Sequence, residues 1–313
     1  MIYAQLSMSL LQSSKSARDP LSDVLGVLGA RVTRQTRMEA AGRWALAFPA
    51  IDRLKFVALL RGSAWVLVPD DVPMLLHEGD VCVLGRTTYT VASHPEAMPV
   101  DGEALYEAGC DVAHLGGIET VAIGGTVSFT ADCADFLLDM LPGCMMVPQS
   151  SRASGAVATI LGLMSSEIER AMIGGDIVSA RLADVLLVEA MRAYAGRVAA
   201  AEPGWLGALS HPRIGRVLRA MHNDRAQRWT VAQLASLAGM SRAAFSAEFT
   251  RHVGQPPLAY LRTWRLTLAR AALRRGDADV ASIAASVGYT SQSAFGHAYR
   301  RKFGSSPRST QRS

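Results

Sequence analysis

The chain has 313 residues, of which half are apolar, and a formal net charge of +5 at pH 7. This length accommodates two domains of ordinary size, and the apolar content excludes wholesale disorder. The charge is divided unevenly: residues 211–313 contain 17 Lys/Arg and 4 Asp/Glu, a balance of +13, whereas residues 1–210 contain 15 and 23, a balance of −8. This asymmetry predicts that the C-terminal part binds a polyanion, most simply a nucleic acid.

Cysteine content and hydropathy indicate the cellular compartment in which the protein is expected. Cys82, Cys110, Cys133 and Cys144 show no paired short spacing. In a chain of this length, that pattern favours reduced thiols and hence the cytoplasm. No stretch approaches the roughly 18 consecutive apolar residues of a membrane helix, so no membrane partner is expected. Residues 1–20 lack a basic start and a clear cleavage site, and we expect a flexible tail rather than a signal peptide.

The first predicted domain, residues 21–150, is rich in short apolar segments. Between residues 54 and 93 the segments LKFVALL, SAWVLV, VPMLL, VCVLG and TYTVAS follow one another, separated by turn-forming residues. This rhythm is typical of a compact antiparallel sandwich or barrel. A further strand pair is predicted at residues 120–129, with Gly124 and Gly125 at a bend or bulge. A helix at residues 134–141 is expected to close the domain before Pro142.

Residues 151–204 change to a helical period. Apolar side chains recur three or four positions apart on both sides of Gly174 and Gly175. The pattern predicts two antiparallel amphipathic helices that connect the two halves of the chain. Their apolar stripes pack either on the sheet domain or on the same helices of a second copy, and the stripes alone do not distinguish these arrangements. The sequence AEPG at residues 201–204 is the expected hinge.

The third region, residues 205–313, contains one short helical motif twice. The repeated positions are Ser241 and Ser291, Phe245 and Phe295, Phe249 and Tyr299, Gly254 and Gly304, and Pro257 and Pro307. Each copy is predicted to be a short helix, a turn at Gly239 or Gly288, and a serine-capped second helix with its aromatic residues inward. Thr230 and Gln233 form a capping box at the start of the first copy. Two helices joined in this way are a helix-turn-helix.

A single helix is predicted between the two copies. Residues 258–275 place Leu261, Trp264 and Leu268 on one stripe, surrounded by arginines. Such a helix is about 25 Å long. It is suited to hold two recognition helices roughly 34 Å apart, one duplex turn, on the same face of DNA. The repeat therefore predicts that one chain reads two successive major-groove segments.

Two stretches carry a specific family resemblance. They are WTVAQLASLAGMSRAAFSAEFTRHVGQPPLAYLRTWRL and IAASVGYTSQSAFGHAYRRKFGSSP. Through them, residues 209–311, about a third of the chain, resemble the DNA-binding domain of the AraC/XylS family of bacterial transcription regulators. The resemblance implies a partner that is double-stranded DNA, and it makes RNA polymerase a candidate second partner.

The outward positions of the second helix of each copy are the candidate DNA contacts. In the first copy they are Arg242, Ala243, Ser246, Ala247, Thr250 and Arg251, and in the second Gln292, Ser293, Gly296, His297, Arg300, Arg301 and Lys302. The resemblance places base contacts near Ala243 and Ala247, where the small side chains favour thymine methyl contacts or weak readout. Gln292 and His297 are suited to base edges. The basic residues at 300–302 are expected to hold phosphates.

The N-terminal half resembles the cupin-type sensor of one branch of the same family. The stretches that carry this resemblance are RGSAWVLV, LLHEGDVCVLGR, FLLDMLPG and GWLGALSHPRIGRVLRAMH. Relatives tend to place His or Cys where this chain has Val57, Ala64, Thr90 and Ile123, so the metal site of such cupins is expected to be lost. His77, His94 and His114 have no spacing that dictates a zinc site. Cys82 alternates with valines in a strand and is expected to face the interior, either as a small filler or as a reactive thiol.

Together these features predict a multidomain α+β protein: a cupin-like sensor at 21–150, a helical connector and dimerisation region at 151–204, and a double helix-turn-helix at 205–313. Its predicted function is sequence-specific transcriptional regulation as a homodimer, modulated by a small molecule or by dimerisation, without catalysis, metal or cofactor. The sequence contains no nucleophile-elbow, phosphate-loop or dinucleotide motif. A cupin-type metal-dependent enzyme or metal sensor fused to a DNA-binding domain is the alternative, and a sequence-blind architectural DNA binder is a third.

Overall fold

The computed structural model describes residues 19–130, 133–151, 154–170, 173–198 and 203–312. The tail predicted at residues 1–20 lies outside this part of the chain except for its last two residues. Of these, Pro20 is the first residue of helix α1 (Pro20–Leu28), and Asp19 caps the helix by accepting the Ser22 N–H at 3.0 Å. Helix α1 precedes the first strand and was not predicted.

The sheet region consists of two packed sheets. Its strands are β1 (Arg31–Ala40), β2 (Ala45–Phe48), β3 (Leu54–Arg61), β4 (Ser63–Leu67), β5 (Met74–His77), β6 (Val81–Leu84), β7 (Tyr89–Ala92), β8 (Val100–Asp101), β9 (Val112–Leu115), β10 (Thr120–Ser128) and β11 (Cys144–Val147). One sheet has the order β11-β6-β3-β10-β1-β9 and the other β5-β4-β7-β2-β8. The edge strand β8 is parallel to its neighbour β2, and the edge strand β9 is parallel to its neighbour β1. The sandwich is therefore mainly, but not wholly, antiparallel. The five segments predicted between residues 54 and 93 are confirmed as β3 to β7.

Strand β6 shows how the sheet separates two cores. Because successive side chains of a strand point to opposite faces, Val81 and Val83 face one way and Cys82 and Leu84 the other. All four are buried. The valines join a core that lies between the six-stranded sheet and the helices. Cys82 and Leu84 join the core between the two sheets, as expected for Cys82.

For the sheet region one prediction is wrong and a second is confirmed only in part. The predicted strand pair at 120–129 is the single strand β10, which ends at Ser128 and is hydrogen-bonded to both β1 and β3 through Gly124 and Gly125. A Cβ added to Gly125 would lie 2.1 Å from the Phe56 ring, so this glycine permits close packing rather than a bend. The predicted helix at 134–141 is a single turn, α2 (Asp135–Leu138), and β11 follows it. The domain therefore does not close at Pro142.

The two connector helices are confirmed as α3 (Gly155–Arg170) and α4 (Gly175–Val198). Helix α4 packs against α3 and against β1, β6 and β11. Asp184 on α4 accepts the Val32 N–H of β1 at 2.8 Å. The buried stripe thus lies on the sheet. Leu163, Ile177, Val178 and Val185 remain exposed on the outer side.

The described residues of the C-terminal region form helices joined by short loops, without strands. Its helices are α5 (Trp205–Ser210), α6 (Ile214–Asn223), α7 (Val231–Ala238), α8 (Arg242–Val253), α9 (Pro257–Arg275), α10 (Val280–Ser286), α11 (Gln292–Phe303) and α12 (Pro307–Arg312). Residues 201–202 of the predicted hinge lie outside the described residues. At its end, the Gly204 N–H donates to the His252 carbonyl at 3.0 Å, which attaches this segment to α8.

The sheet half and the helical half share one hydrophobic core. The Phe136 ring of α2 lies 5.7 Å from the Tyr260 ring and 5.1 Å from the Trp264 ring, both on α9. All three side chains are buried. The linker between the two helix-turn-helix units therefore serves also as the surface on which the N-terminal half rests.

A chain of buried hydrogen bonds crosses the same junction. The Trp205 Nε1–H donates to the Tyr260 hydroxyl at 3.1 Å, and this hydroxyl lies 2.7 Å from His222 Nε2. His222 Nδ1 lies 2.9 Å from the Asp23 carboxylate of α1. Burial lowers the pKa of His222, which favours the neutral imidazole. A neutral ring protonated on Nδ1 donates to Asp23 and accepts from Tyr260, so each donor in this series of hydrogen bonds has an acceptor.

Candidate nucleic-acid interface

The first helix-turn-helix consists of α7 and α8. Thr230 and Gln233 form the predicted capping box at the start of α7, which satisfies two backbone N–H groups of the first turn. Gly239 ends α7 with φ of 66°, a conformation that glycine adopts without strain. Ser241 caps α8 by accepting the Ala244 N–H at 3.3 Å. The local sequence thus fixes the turn that projects α8 from the body.

The second unit, α10 and α11, repeats this construction. Gly288 adopts φ of 84° in the turn, and Ser291 caps α11 by accepting the Ala294 N–H at 3.2 Å. Phe295 and Tyr299 are fully buried, as are their counterparts on α8. Phe303 is only partly buried, and the Arg270 guanidinium lies 4.5 Å from its ring centre. The predicted repeat is confirmed in its caps, turns and packing residues.

The candidate DNA contacts lie on the accessible sides of α8 and α11. On α8, Arg242, Ala243, Ala247 and Arg251 are exposed, and Ser246 and Thr250 are half-buried. On α11, Gln292, Ser293, His297, Arg300, Arg301 and Lys302 are exposed, and Gly296 is half-buried. Three cations occupy the last turn of α11, where they also interact favourably with the helix dipole. Which of these side chains touch DNA stays a prediction.

One of these candidates is already paired within the chain. The Arg251 guanidinium donates to both carboxylate oxygens of Glu248, at 3.2 and 2.7 Å. This bond and the neighbouring His252 lower the pKa of Glu248 to about 2. Glu248 therefore stays ionised at neutral pH and competes with a phosphate for Arg251.

The two units are also attached to each other by the loop that precedes α7. Arg265 on α9 donates to the carbonyls of Arg225 and Gln227, both at 2.6 Å. Arg228 donates to Thr290 Oγ1, in the turn of the second unit, at 2.8 Å. Arg265 thus holds the loop, a structural role that its place among the linker arginines did not reveal. The loop and α9 together fix one unit relative to the other.

The N-terminal half contains a large cavity between its sheets. Its volume is about 1030 Å³, and its lining includes Phe48, Lys55, Tyr89, Glu103 and Tyr106. The Phe48 and Tyr89 rings stack 4.9 Å apart, and the Lys55 ammonium lies 5.0 and 5.6 Å from their centres. Burial lowers the pKa of Lys55. The cavity offers aromatic surface and one half-buried cation to a ligand.

The positions where cupin relatives tend to place metal ligands carry no donors suited to a metal. Val57, Ala64 and Ile123 are buried apolar side chains, and Thr90 is half-buried. The donor set therefore does not fit a metal at this place. Among the remaining histidines, His114 Nδ1 pairs with Glu39 at 3.0 Å, and His94 Nδ1 accepts the Glu96 N–H.

A different cluster, which the sequence did not indicate, lies beside α8. Within the described residues, one His/Glu group has its ligand atoms within 4.8 Å of one another: His211, Glu248 and His252. The Arg251 guanidinium stands 2.7 Å from both Glu248 and His252. His211 Nδ1 accepts the backbone N–H groups at the start of α6. The Arg251 guanidinium thus pairs with two of the three groups, and the His211 and His252 rings, 4.6 Å apart, connect the α5–α6 corner to α8.

Comparisons with known proteins agree with this architecture. A cupin family model matches residues 19–196, and a helix-turn-helix domain model matches residues 234–313. An AraC-like transcription regulator of Streptomyces antibioticus is 40% identical over 293 residues, covering 92% of this chain and 97% of its own. Its counterpart in Streptomyces lividans is 39% identical over 293 residues, covering 92% and 96%.

Solved structures that resemble the chain include the DNA-binding domain of AdpA in complex with a target DNA. It is 30% identical and covers 32% of this chain and 90% of its own, with a TM-score of 0.31. Within the described part of the chain, no helix combines the length and the apolar character needed to cross a membrane. The paired helix-turn-helix units, the cupin match and the nearly full-length relatives lead to one conclusion: the chain belongs to the AraC-like family of transcription regulators.

Proposed function

We propose that this regulator reads two successive major-groove segments of one DNA site, as a homodimer in the cytoplasm, under the control of a small molecule. The observation that carries the proposal is the attachment of two capped recognition helices, α8 and α11, to one buried linker helix. We further propose the domain limits 21–150, 151–204 and 205–313. Contact with RNA polymerase stays a prediction.

Readout is expected to differ between the two recognition helices. The exposed Ala243 and Ala247 of α8 offer methyl groups, which suit thymine methyls. Gln292 and His297 of α11 offer hydrogen-bonding groups to base edges. Arg300 to Lys302 supply charge to phosphates without reading sequence. The second unit is therefore proposed to carry more of the base specificity.

The effector is proposed to bind the cavity between the sheets. A volume of about 1030 Å³ admits a small organic molecule, and aromatic rings with a few polar groups are the usual lining of such sites. Ligand binding would shift the balance between arrangements of the two DNA-binding domains in the dimer. A Lys55→Met variant should lose the response to any compound that raises the thermal midpoint of the wild type.

The dimer interface is proposed to be the outer side of α3 and α4. Leu163 is 51% exposed, Ile177 70% and Val185 47%, although the helices bury their other side on the sheet. A group of exposed apolar side chains on one face is a common sign of a protein contact. Sedimentation should show dimers for the wild type and monomers for Ile177→Lys. A Val72→Lys control, at an exposed apolar side chain outside these helices, should remain dimeric.

Selection of bound fragments from a random DNA pool, followed by competition at physiological salt, tests the main proposal. The expected result is a recovered motif with two segments one duplex turn apart, which competes far better than random DNA. Equal competition by random DNA would instead identify an architectural binder. A motif with a single segment would contradict the two-unit reading.

A further inference from the structure

Cys82 and Cys144 lie together in the core between the two sheets. Their Sγ atoms are 2.8 Å apart, so the two thiols are in direct contact. Cys82 is fully buried and Cys144 is partly accessible. The two residues are separated by 62 positions in the sequence, so only the fold brings them together. Nothing in the proposed regulation uses this pair.

The strand register explains the proximity. Cys82 on β6 is paired with Met146 on β11, and Cys144 is paired with Leu84. The cysteines are therefore diagonal neighbours on the same face of an antiparallel pair. Diagonal neighbours have Cα atoms about 7–8 Å apart, whereas a disulfide usually spans about 4.4–6.8 Å.

A bond thus requires a small shift of β11 along β6, which shortens the diagonal between the two cysteines. Strand β11 is the last strand of its sheet and is hydrogen-bonded to β6 alone. A small movement of this edge strand therefore disturbs its hydrogen bonds with β6 and no hydrogen bonds with another strand. The edge position makes the shift feasible.

We propose that Cys82 and Cys144 are a site of reversible oxidation, at which a hydroperoxide converts the two thiols into a disulfide that links β6 to β11. The Cys144 sulfur attacks the hydroperoxide, the O–O bond breaks, and an alcohol (water, from hydrogen peroxide) leaves with the thiol proton. The Cys82 sulfur then attacks the sulfenic acid on Cys144, the S–O bond breaks, and water leaves with the second proton. Two thiols are oxidised and one peroxide is reduced.

The order of attack follows from the surroundings of the two thiols. The hydrogen bond with Cys144 and burial raise the pKa of Cys82, which keeps it a thiol until its partner has reacted. Cys144 is the more exposed residue of the pair. The other two cysteines serve as controls, because each contacts a group other than a thiol. Cys110 is exposed and its thiol donates to the Val112 carbonyl, and Cys133 is buried near Thr267 on α9.

The test uses the full chain, reduced, freed of reductant and treated with hydrogen peroxide, followed by maleimide labelling after denaturation. We expect two of the four cysteines to be blocked, and non-reducing peptide mapping should join the Cys82 and Cys144 peptides. Dithiothreitol should restore all labelling. Cys110→Ser should form the same link, whereas Cys144→Ala, at a partly accessible position, should not.

Two results would overturn the proposal. One is full labelling of the wild type at peroxide concentrations that oxidise free cysteine, and the other is a disulfide that joins a different pair. Both are read on the unaltered chain, so they stand even if a cysteine variant fails to fold. Neither depends on DNA binding, which keeps this test separate from that of the proposed function.

Discussion

The two turn glycines offer a matched test of how the helix-turn-helix units are held together. Gly239 and Gly288 have similar positive φ angles, 66° and 84°. A Cβ at Gly239 meets nothing within 4 Å, whereas one at Gly288 would lie 2.6 Å from the Ala226 carbonyl oxygen. Ala226 belongs to the loop that Arg265 holds. Alanine at either site is strained, but only at Gly288 must the loop move.

The magnitudes follow from these contacts. An L-residue in the left-handed region costs about 1–2 kcal/mol, which is the whole expected loss for Gly239→Ala. Gly288→Ala adds the displacement of a packed backbone segment, and we expect a total of about 3 kcal/mol or more. Chemical denaturation of both variants, followed by circular dichroism, measures the difference.

DNA binding gives the second measurement. Moving the loop changes the orientation of one unit relative to the other, so Gly288→Ala should weaken binding to a two-segment site by about tenfold or more, about 1.4 kcal/mol. Binding to either segment alone should change little. Gly239→Ala should bind both kinds of DNA nearly as the wild type does. Equal stability losses would refute the close contact at Ala226, and unchanged two-segment affinity of Gly288→Ala would refute the loop as a spacer.

Three further predictions concern the domain junction and the DNA surface. Tyr260→Phe leaves a buried indole N–H and an imidazole nitrogen without their hydrogen-bond partner, and it should lower the free energy of unfolding by about 2–4 kcal/mol. Tyr299→Phe breaks one hydrogen bond and should lower it by about 1 kcal/mol. Because burial lowers the pKa of His222, the unfolded chain binds a proton at this histidine before the folded chain does as the pH falls below about 6.5. The stability that is present above that pH should therefore be lost at lower pH, by up to about 1.4 kcal/mol per pH unit. In denaturation measured over a range of pH, His222→Gln should show a shallower dependence of the free energy of unfolding on pH. In binding assays over a range of salt, Arg300→Ala should reduce the salt slope by about 1, while Gln292→Ala should change sequence preference at an unchanged slope.

The C-terminal fold was predictable in detail because its signals are local. A serine cap, a glycine with positive φ and aromatic residues at helical spacing each act within a few positions, and the repeat shows each of them twice. The strands between residues 54 and 93 were predictable for the same reason. Helix α1 also carries local signals, an aspartate cap followed by a proline, although the sequence analysis predicts a tail and a domain boundary at this place.

The errors and omissions arise where distant residues meet. Two adjacent glycines, Gly124 and Gly125, are a local signal for a bend. The structure shows a different reason for Gly125, because the ring of Phe56, distant in the sequence, leaves no space for a side chain there. In the sequence Arg265 is one of several linker arginines, and its structural role appears only when the loop carbonyls are seen beside it. The proximity of Cys82 to Cys144 depends on the register of β6 and β11, which no local pattern specifies.

The six-stranded sheet provides a physical route from the cavity to the DNA-binding units. Phe56 and Ile123 line the cavity and also belong to the core that continues into α9. In the same core, Phe136 packs on Trp264 of the linker helix. A ligand in the cavity would therefore press on the strands whose opposite face carries this packing, and a close-packed core transmits such a displacement instead of absorbing it. The proposed effector needs no separate relay, because the wall of its cavity and the support of the linker are the same sheet.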